Sequence, residues 1–356
     1  MQNPAEKIFS VSVFDYNRAE PCIVRETAHW AVVYKPPHLP TAPLRTDERN
    51  TLVYWFLHSP ETRKIGLSGN AQINVLSDDM QTDAFLDARQ VDTQEQSAEY
   101  GLRSREAQVR GKKAIEAGLL HRLDTDTRGL VLFAKDQKVY DFLAARQEAG
   151  QIIKTYCAFV EPTLSRAMEY NGYGINATEL ATLKELSAVQ RGIAAQEQVV
   201  VQERIAAKLP LTLESQFRNF GPSAKRVAPV FSDSRHYKKD GRLYTTVIEA
   251  ADILPYPIDG NDTVPKTVCE SLSPPPLIRV RCRLSRGYRH QVRAHLAAAG
   301  LPIAGDSLYG PQGAEAQPEA AAVSLQLYAV SLEFPDPENP RQSIRVALPP
   351  PDKMNP

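Results

Sequence analysis

Asp124 lies in a dense run of ionisable and hydroxyl side chains, His121-Arg122-Leu123-Asp124-Thr125-Asp126-Thr127-Arg128-Gly129, which leads straight into the apolar stretch Leu130-Val131-Leu132-Phe133-Ala134. A short apolar run bounded by charge reads as a buried strand. A carboxylate at the mouth of such a strand is held on a rigid support, where it can serve as nucleophile or base. Spacing alone fits a loop of solvated charges as well, and on composition Asp126 rivals Asp124. A second cluster gathers cations: Arg279, Arg281, Arg283, Arg286, Arg289 and Arg293, with His290, Gln291 and His295 among them. Phosphate backbones are the usual partner of so concentrated a patch, although pairing with surface carboxylates would also account for it. A third pair, Lys154 and Tyr156, shares one face of a strand; a tyrosine there stacks on a base only if it faces the same site as the carboxylate.

The elements that must hold these residues can be read from periodicity and punctuation. Ile23–Lys35 reads as paired strands ended by the prolines of Lys35-Pro36-Pro37-His38-Leu39-Pro40. Asn50 is the expected N-cap of a short helix, 51–58. Residues 60–111, polar and aperiodic, read as a long insertion. Gly129–Lys135 is a strand; Asp136 caps a helix with Val139, Phe142, Leu143 and Ala144 on one side and Gly150 at its end; Ile152–Val160 is a strand. Residues 163–222 read as a second insertion with helical periodicity. Lys225–Val230 and Leu243–Ala250 are expected as strands across a turn at Asp240-Gly241, followed by a proline-rich loop, 252–276. Leu277–Leu284 is a strand with Arg279, Arg281 and Arg283 on one face; Arg289–Ala299 is a helix ended by Gly300; Leu325–Phe334 and Ser343–Leu348 are closing strands. Many strands with few βαβ units predict an α+β fold and disfavour a doubly wound nucleotide-binding sheet.

Bulk properties narrow the classes. The 356 residues carry zero formal net charge and are 42% hydrophobic, as in a globular protein, with no apolar run of membrane-spanning length and no signal-peptide pattern. Cys22, Cys157, Cys269 and Cys282 form no CxxC pair, so neither a zinc site nor a disulfide framework is expected, and a reduced cytoplasmic setting fits. Without a GxGxxG opening a helix or a GxxxxGK[ST] loop, no nucleotide cofactor has a site; no cofactor and no metal are expected.

Read in order, these segments resemble the RluA/RsuA-like pseudouridine synthases. Val32-Val33-Tyr34-Lys35-Pro36-Pro37-His38-Leu39-Pro40 is similar to the family's first motif, VVNKPxGLP. His121 through Lys135 is similar to HRLDxxTSGLLLFAK, Lys154-Thr155-Tyr156 to its KxY strand, and Gly287 through Gly310 to GRTHQIRxHLxxxGxPIxGDxxYG. Leu327–Pro335 is similar to the last core strand. The resemblance implies a catalytic domain over residues 21–350, built on a central, mostly antiparallel mixed sheet with flanking helices and a catalytic cleft; residues 1–20 form an N-terminal extension, 351–356 a tail, and the two insertions decorate it. No S4-type RNA-binding domain is evident.

The resemblance further implies isomerisation of a uridine of rRNA or tRNA to pseudouridine by a monomer without cofactor. Asp124 matches the catalytic aspartate, which either attacks C1′ of the flipped-out nucleotide or removes a proton from C2′. Arg293 matches the arginine that pairs with it, favouring the ionised carboxylate and fixing its rotamer. Tyr156 matches a tyrosine that stacks on the base, and Arg122 an arginine that fills the gap the base leaves. His121, Lys154, Arg289, His290, Gln291, Arg279, Arg281 and Arg283 are the accompanying candidates for holding RNA. Arg128, Tyr288-Arg289 and Tyr34 depart from the motifs. Two other readings compete. An RNA-binding protein without turnover would be expected to have lost Asp124, Tyr156 or Arg293; a glycoside hydrolase would need two cooperating carboxylates at a fixed separation.

Overall fold

The computed structural model describes residues 6–59, 109, 111–161, 195–254, 277–310 and 324–354. Among them runs an 11-stranded sheet. In chain order the elements are β1 (Glu6–Ser10), β2 (Cys22–Glu26), β3 (Trp30–Lys35), α1 (Leu52–His58), β4 (Arg128–Ala134), α2 (Gln137–Glu148), β5 (Ile153–Val160), α3 (Ala195–Ala206), β6 (Leu211–Phe220), β7 (Arg226–Val230), β8 (Tyr244–Leu254), β9 (Leu277–Leu284), α4 (Gln291–Ala298), β10 (Leu327–Pro335) and β11 (Ser343–Ala347). The strand order is β2-β3-β4-β10-β5-β9-β8-β6-β7, with β11 joined to β10 and β1 to β11. Among the described strands, only β4–β10 and β1–β11 pair in parallel. This is the α+β architecture expected: a mostly antiparallel mixed sheet flanked by helices.

Alternation along the strands divides the core into two faces. On β4, Val131 and Phe133 join the front cluster, which contains Leu52, Val53 and Phe56 of α1 and Val292 and Leu296 of α4. Leu130, Leu132 and Ala134 join the back cluster with Val139 and Leu143 of α2. Every residue of β4 is buried, which is why this strand reads as a continuous apolar run rather than an alternating one. The Asp136 side chain caps α2 by accepting from Val139 N at 2.9 Å.

The structure differs from the sequence reading at several elements. The N-cap of α1 is Thr51, whose Oγ1 accepts from Tyr54 N at 3.2 Å, rather than Asn50. From residue 195 onward the stretch expected as an insertion holds α3 and then β6, which is paired into the main sheet through β8. Its alternation of Leu211, Leu213 and Ser215 with Thr212 and Glu214 is a half-buried strand pattern inside a polar region. Because β6 lies between β7 and β8, those two strands do not pair across Asp240-Gly241; each pairs with β6. Part of the segment read as an N-terminal extension, β1, adds to the sheet edge against β11. Most of the 60–111 stretch, residues 163–194 and most of the proline-rich 252–276 stretch lie outside the described residues.

Gly129 shows how tightly the loop carrying Asp124 is tied to the sheet. Its φ is +130°, and an added Cβ would overlap the backbone of Ala329, its partner in the β4–β10 ladder. No side chain fits there without moving one strand from the other. Gly129→Ala is expected to cost more than about 3 kcal/mol of unfolding free energy. Gly150→Ala has left-handed backbone but ordinary contact distances, and should cost about 1 kcal/mol. Urea denaturation of the two variants checks the contrast.

Candidate functional site

The site assembles on the front face from four pieces of backbone: the end of β3, the loop 121–127 before β4, strand β5, and α4 with the turn leading into it. The loop is fixed from the first motif. Lys35, completely buried at the end of β3, donates from Nζ to the carbonyls of Pro36, Leu39 and Thr125, each at 2.8 Å. Burial brings its ammonium down to about 7, against the opposing pull of Asp124 and Asp126. Thr41 clamps Leu123 on both sides, donating to its carbonyl at 2.7 Å and accepting from its N–H at 3.1 Å. A turn closes with Thr127 N donating to Asp124 O at 3.1 Å.

The two rival carboxylates are thereby sent in different directions. Asp126 is half-exposed and meets the exposed ring of His38 at 3.1 Å. Asp124 turns inward to α4, where Arg293 Nη1 donates to its Oδ2 at 3.0 Å. The guanidinium is 4% exposed and the Asp124 side chain 24%, so the carboxylate keeps one open side. Arg293 is itself held from behind: Nε and Nη2 donate to the two oxygens of Asp306, each at 2.8 Å, in a planar two-pronged pairing that lysine could not make. Asp306 Oδ1 also accepts from the N–H groups of Leu308 and Tyr309. Although burial opposes it, this pairing raises the guanidinium above its ordinary value. Asp306 and Tyr309 were not singled out from sequence, although both stand in the Gly305-Asp306-Ser307-Leu308-Tyr309-Gly310 run. The missed signal was physical: an arginine buried this deeply needs more acceptors than one partly exposed carboxylate.

His290 stands at the N-terminus of α4 with φ +55°. Its Nδ1 lies 3.1 Å from Tyr309 Oη and its Nε2 3.8 Å from Asp124 Oδ1. Burial holds it below its ordinary value, although Asp124 pulls the other way. Gln291 locks the turn, accepting from Tyr288 N and donating to Thr245 O and Thr246 Oγ1. Beneath them His295, pushed down to about 3 by burial, sits as a neutral ring between Ser215 and Thr246. On β5, Tyr156 is buried on the front face; burial, and after it the Asp124 charge, raises its hydroxyl above the ordinary range. His121 and Lys154 are buried nearby, and Arg122 is exposed on the loop.

Arg279, Arg281 and Arg283 are not brought to this site. Their ladder partners on β5 are Phe159, Cys157 and Thr155, whereas Tyr156 pairs with Cys282. Cross-strand partners share a face, so the three arginines lie on the side opposite Tyr156. There Arg279 pairs with Asp252 at 2.9 Å, Arg283 with Glu249 at 2.8 Å and Arg281 with Glu249 at 3.5 Å. Arg289 braces the chain before β7, donating to Ala224 O and Arg226 O. The departures from the motifs also find their places. Arg128 is buried on the back face over the Tyr328 ring, Tyr34 donates to Tyr16 O there, and Tyr288 stacks on Phe217 with centroids 5.0 Å apart.

If Arg293 depends on Asp306, removing that carboxylate leaves a buried cation short of its main partner. Asp306→Ala is expected to cost about 3–5 kcal/mol in urea denaturation. Asp126→Asn, at a half-exposed pair, should cost less than about 1 kcal/mol.

Three comparisons with known proteins bear on this site. A family model described as RNA pseudouridylate synthase matches residues 29–298. The protein RNA pseudouridine synthase 2, chloroplastic, of Oryza sativa subsp. japonica is 33% identical over 146 residues, which is 39% of this chain and 31% of that protein. The match thus spans about a third of that relative's length. Among solved structures, Human RNA Pseudouridylate Synthase Domain Containing 1 matches with 15% identity and a TM-score of 0.46, covering 96% of this chain and 87% of that one. Human RNA Pseudouridylate Synthase Domain Containing 4 matches with 15% identity and a TM-score of 0.45, covering 93% and 88%. Lys35, Asp124, Tyr156 and Arg293 all fall inside the family match, which takes in more than half of the sequence, and on that ground the chain belongs to the RNA pseudouridylate synthase family.

Proposed function

We propose that this protein isomerises uridine to pseudouridine in RNA, with Asp124 as the catalytic carboxylate. The observation that carries the reading is Asp124 Oδ2 held 3.0 Å from a guanidinium that Asp306 fixes from behind. A carboxylate so paired is aimed, while its open side leaves room for a ribose. The reaction breaks the C1′–N1 bond of a flipped-out uridine, turns the base and forms the C1′–C5 bond; the proton leaving C5 ends on N1, so no atom is gained or lost. Tyr156, on the same face and within the field of Asp124, would meet the base in this reading. Arg122, exposed on the loop, is free to enter the space the base vacates.

The RNA body is better matched by the far edge of the sheet than by the arginines of β9. Between Arg218 and Arg242 the chain carries Arg218, Lys225, Arg226, Arg235, Lys238, Lys239 and Arg242 against Asp233 and Asp240. Among the described residues Arg242 reaches Glu148 at 3.6 Å, and the other six cations have no carboxylate in salt-bridge reach. A chain of zero net charge thus concentrates unpaired positive charge beside the turn into α4, as a phosphate backbone requires. Cys157 and Cys282, free thiols among the described residues, suit a reduced compartment, although the Oryza relative is chloroplastic by name.

Two experiments test this. Mapping pseudouridine in RNA from cells with and without the gene should reveal a uridine modified only in its presence. On that RNA, Asp124→Asn should lower the rate by at least about 10³-fold, and Asp126→Asn should leave most of it. Full activity of Asp124→Asn would sink the reading. For binding, alanine at Lys225, Arg235, Lys238 or Lys239 should each reduce the salt slope of affinity by about one unit, whereas the combined Arg279, Arg281 and Arg283 alanine variant should leave it unchanged.

A further inference from the structure

Strand β5 presents a second polar side chain on the face of Tyr156, and nothing in the chemistry above uses it. Lys154 is 5% exposed and lies opposite Leu284 of β9. Its Nζ is 3.8 Å from the position a Cβ on Gly287 would take, which puts the ammonium beside the turn that leads into α4. Lys35, the other buried lysine of this face, satisfies its ammonium on three carbonyls. Among the described residues Lys154 makes no hydrogen bond or ion pair.

Its neighbour is in the same condition. His121 Nε2 accepts from Leu132 N at 3.3 Å, so in the neutral ring the proton is on Nδ1. That Nδ1 is buried and without a partner. Burial, and after it the Lys154 charge, keeps His121 far below its ordinary value, so the ring stays neutral. Burial brings Lys154 down to about 8, which leaves it mostly charged at neutral pH. His121 Nδ1 is sealed without a partner, and it lies within the field of the Lys154 ammonium, which has no partner among the described residues; a folded protein retains such groups when an acceptor arrives from outside. His121 begins the loop that carries Asp124, and Gly287, beside the Lys154 ammonium, precedes the helix that carries Arg293. Asp124 is not their acceptor, since its ion-pair contacts are Arg293 and His290.

We propose that Lys154 Nζ and His121 Nδ1 form a binding site for one phosphodiester of the RNA, the linkage that flanks the target uridine. A uracil carbonyl could satisfy the histidine but would leave the ammonium without a counter-charge; a phosphodiester satisfies both, with an anionic oxygen for each donor. Gly287, having no side chain, leaves the approach to Nζ open. The site lies along β5 from Tyr156, so a nucleotide whose base meets Tyr156 would direct a linkage toward Lys154. This inference rests on the proposed uridine chemistry and adds what positions the nucleotide for it.

The test uses the full chain and an oligoribonucleotide spanning the uridine identified by mapping, in natural form and with a neutral methylphosphonate replacing the diester on its 5′ or its 3′ side. For the wild type, one of the two neutral linkages should lower kcat/KM roughly 10- to 100-fold. Lys154→Met should lose a similar factor on the natural RNA and less than about threefold more on the neutral linkage, because the partner of that phosphate is already gone. Lys154→Arg should keep part of the sensitivity. Lys154→Met should also unfold no more easily than the wild type, since it removes a buried charge that has no partner. A wild type indifferent to both neutral linkages overturns the proposal without needing any variant. So does a Lys154→Met protein that remains as sensitive to the neutral linkage as the wild type, or one that unfolds at distinctly lower urea, which would make Lys154 a structural residue. A wild type that converts no uridine in the natural oligonucleotide overturns the functional reading instead.

Discussion

A guanidinium locked between two carboxylates is the constraint on which the rest of this site depends. Arg293 is buried, so it must be fully paired, and Asp306 supplies the larger share with two hydrogen bonds at 2.8 Å. That leaves Nη1 in a fixed position, and Asp124 takes the third bond at 3.0 Å. The asymmetry matters for chemistry. Asp306 is completely buried and engaged by backbone N–H groups as well, so it can only be a brace, whereas Asp124 is hydrogen-bonded by Arg293 on one oxygen, has His290 at 3.8 Å from the other, and stays partly open to solvent. An acid so arranged has its direction set in advance and keeps a free edge, as the proposed uridine chemistry would require.

The remaining elements make that contact possible. Lys35 and Thr41 hold the Asp124 loop by its backbone, from outside the loop, so the Asp124 side chain is not spent on fixing it. Gly129 brings β4 against β10 and sets where the loop ends. Behind α4, the buried polar network of Gln291, His295, Thr246 and Ser215 ties the helix to β6 and β8. Ser215 of β6 supplies one of the two partners of the neutral His295 ring.

What could be read from sequence follows from what each signal measures. Periodicity located β3, β4, α2, β5 and β9 because one or both faces of each are buried in an unbroken core. It missed β6, whose alternation Leu211, Leu213 and Ser215 ends in a polar pattern once the strand runs past the core. It predicted correctly that Arg279, Arg281 and Arg283 share a face, but a period of two does not say which face, and the ladder with β5 turned them toward Glu249 and Asp252. Composition could not choose between Asp124 and Asp126; resemblance did, and geometry shows the difference, one carboxylate directed at a buried arginine and the other at an exposed histidine. Asp306 was out of reach of local reasoning, since its role appears only when the turn after α4 folds back on the helix.

The central claim is that planar, two-sided pairing of Arg293 aims Asp124 for the chemical step, and Arg293→Lys tests it most directly because the charge is kept and the fork is lost. Single-turnover pseudouridine formation should be measured beside RNA affinity for this variant and the wild type. The account predicts that the rate falls by more than about 100-fold while affinity changes by less than about threefold. A rate within a few-fold of wild type would contradict it.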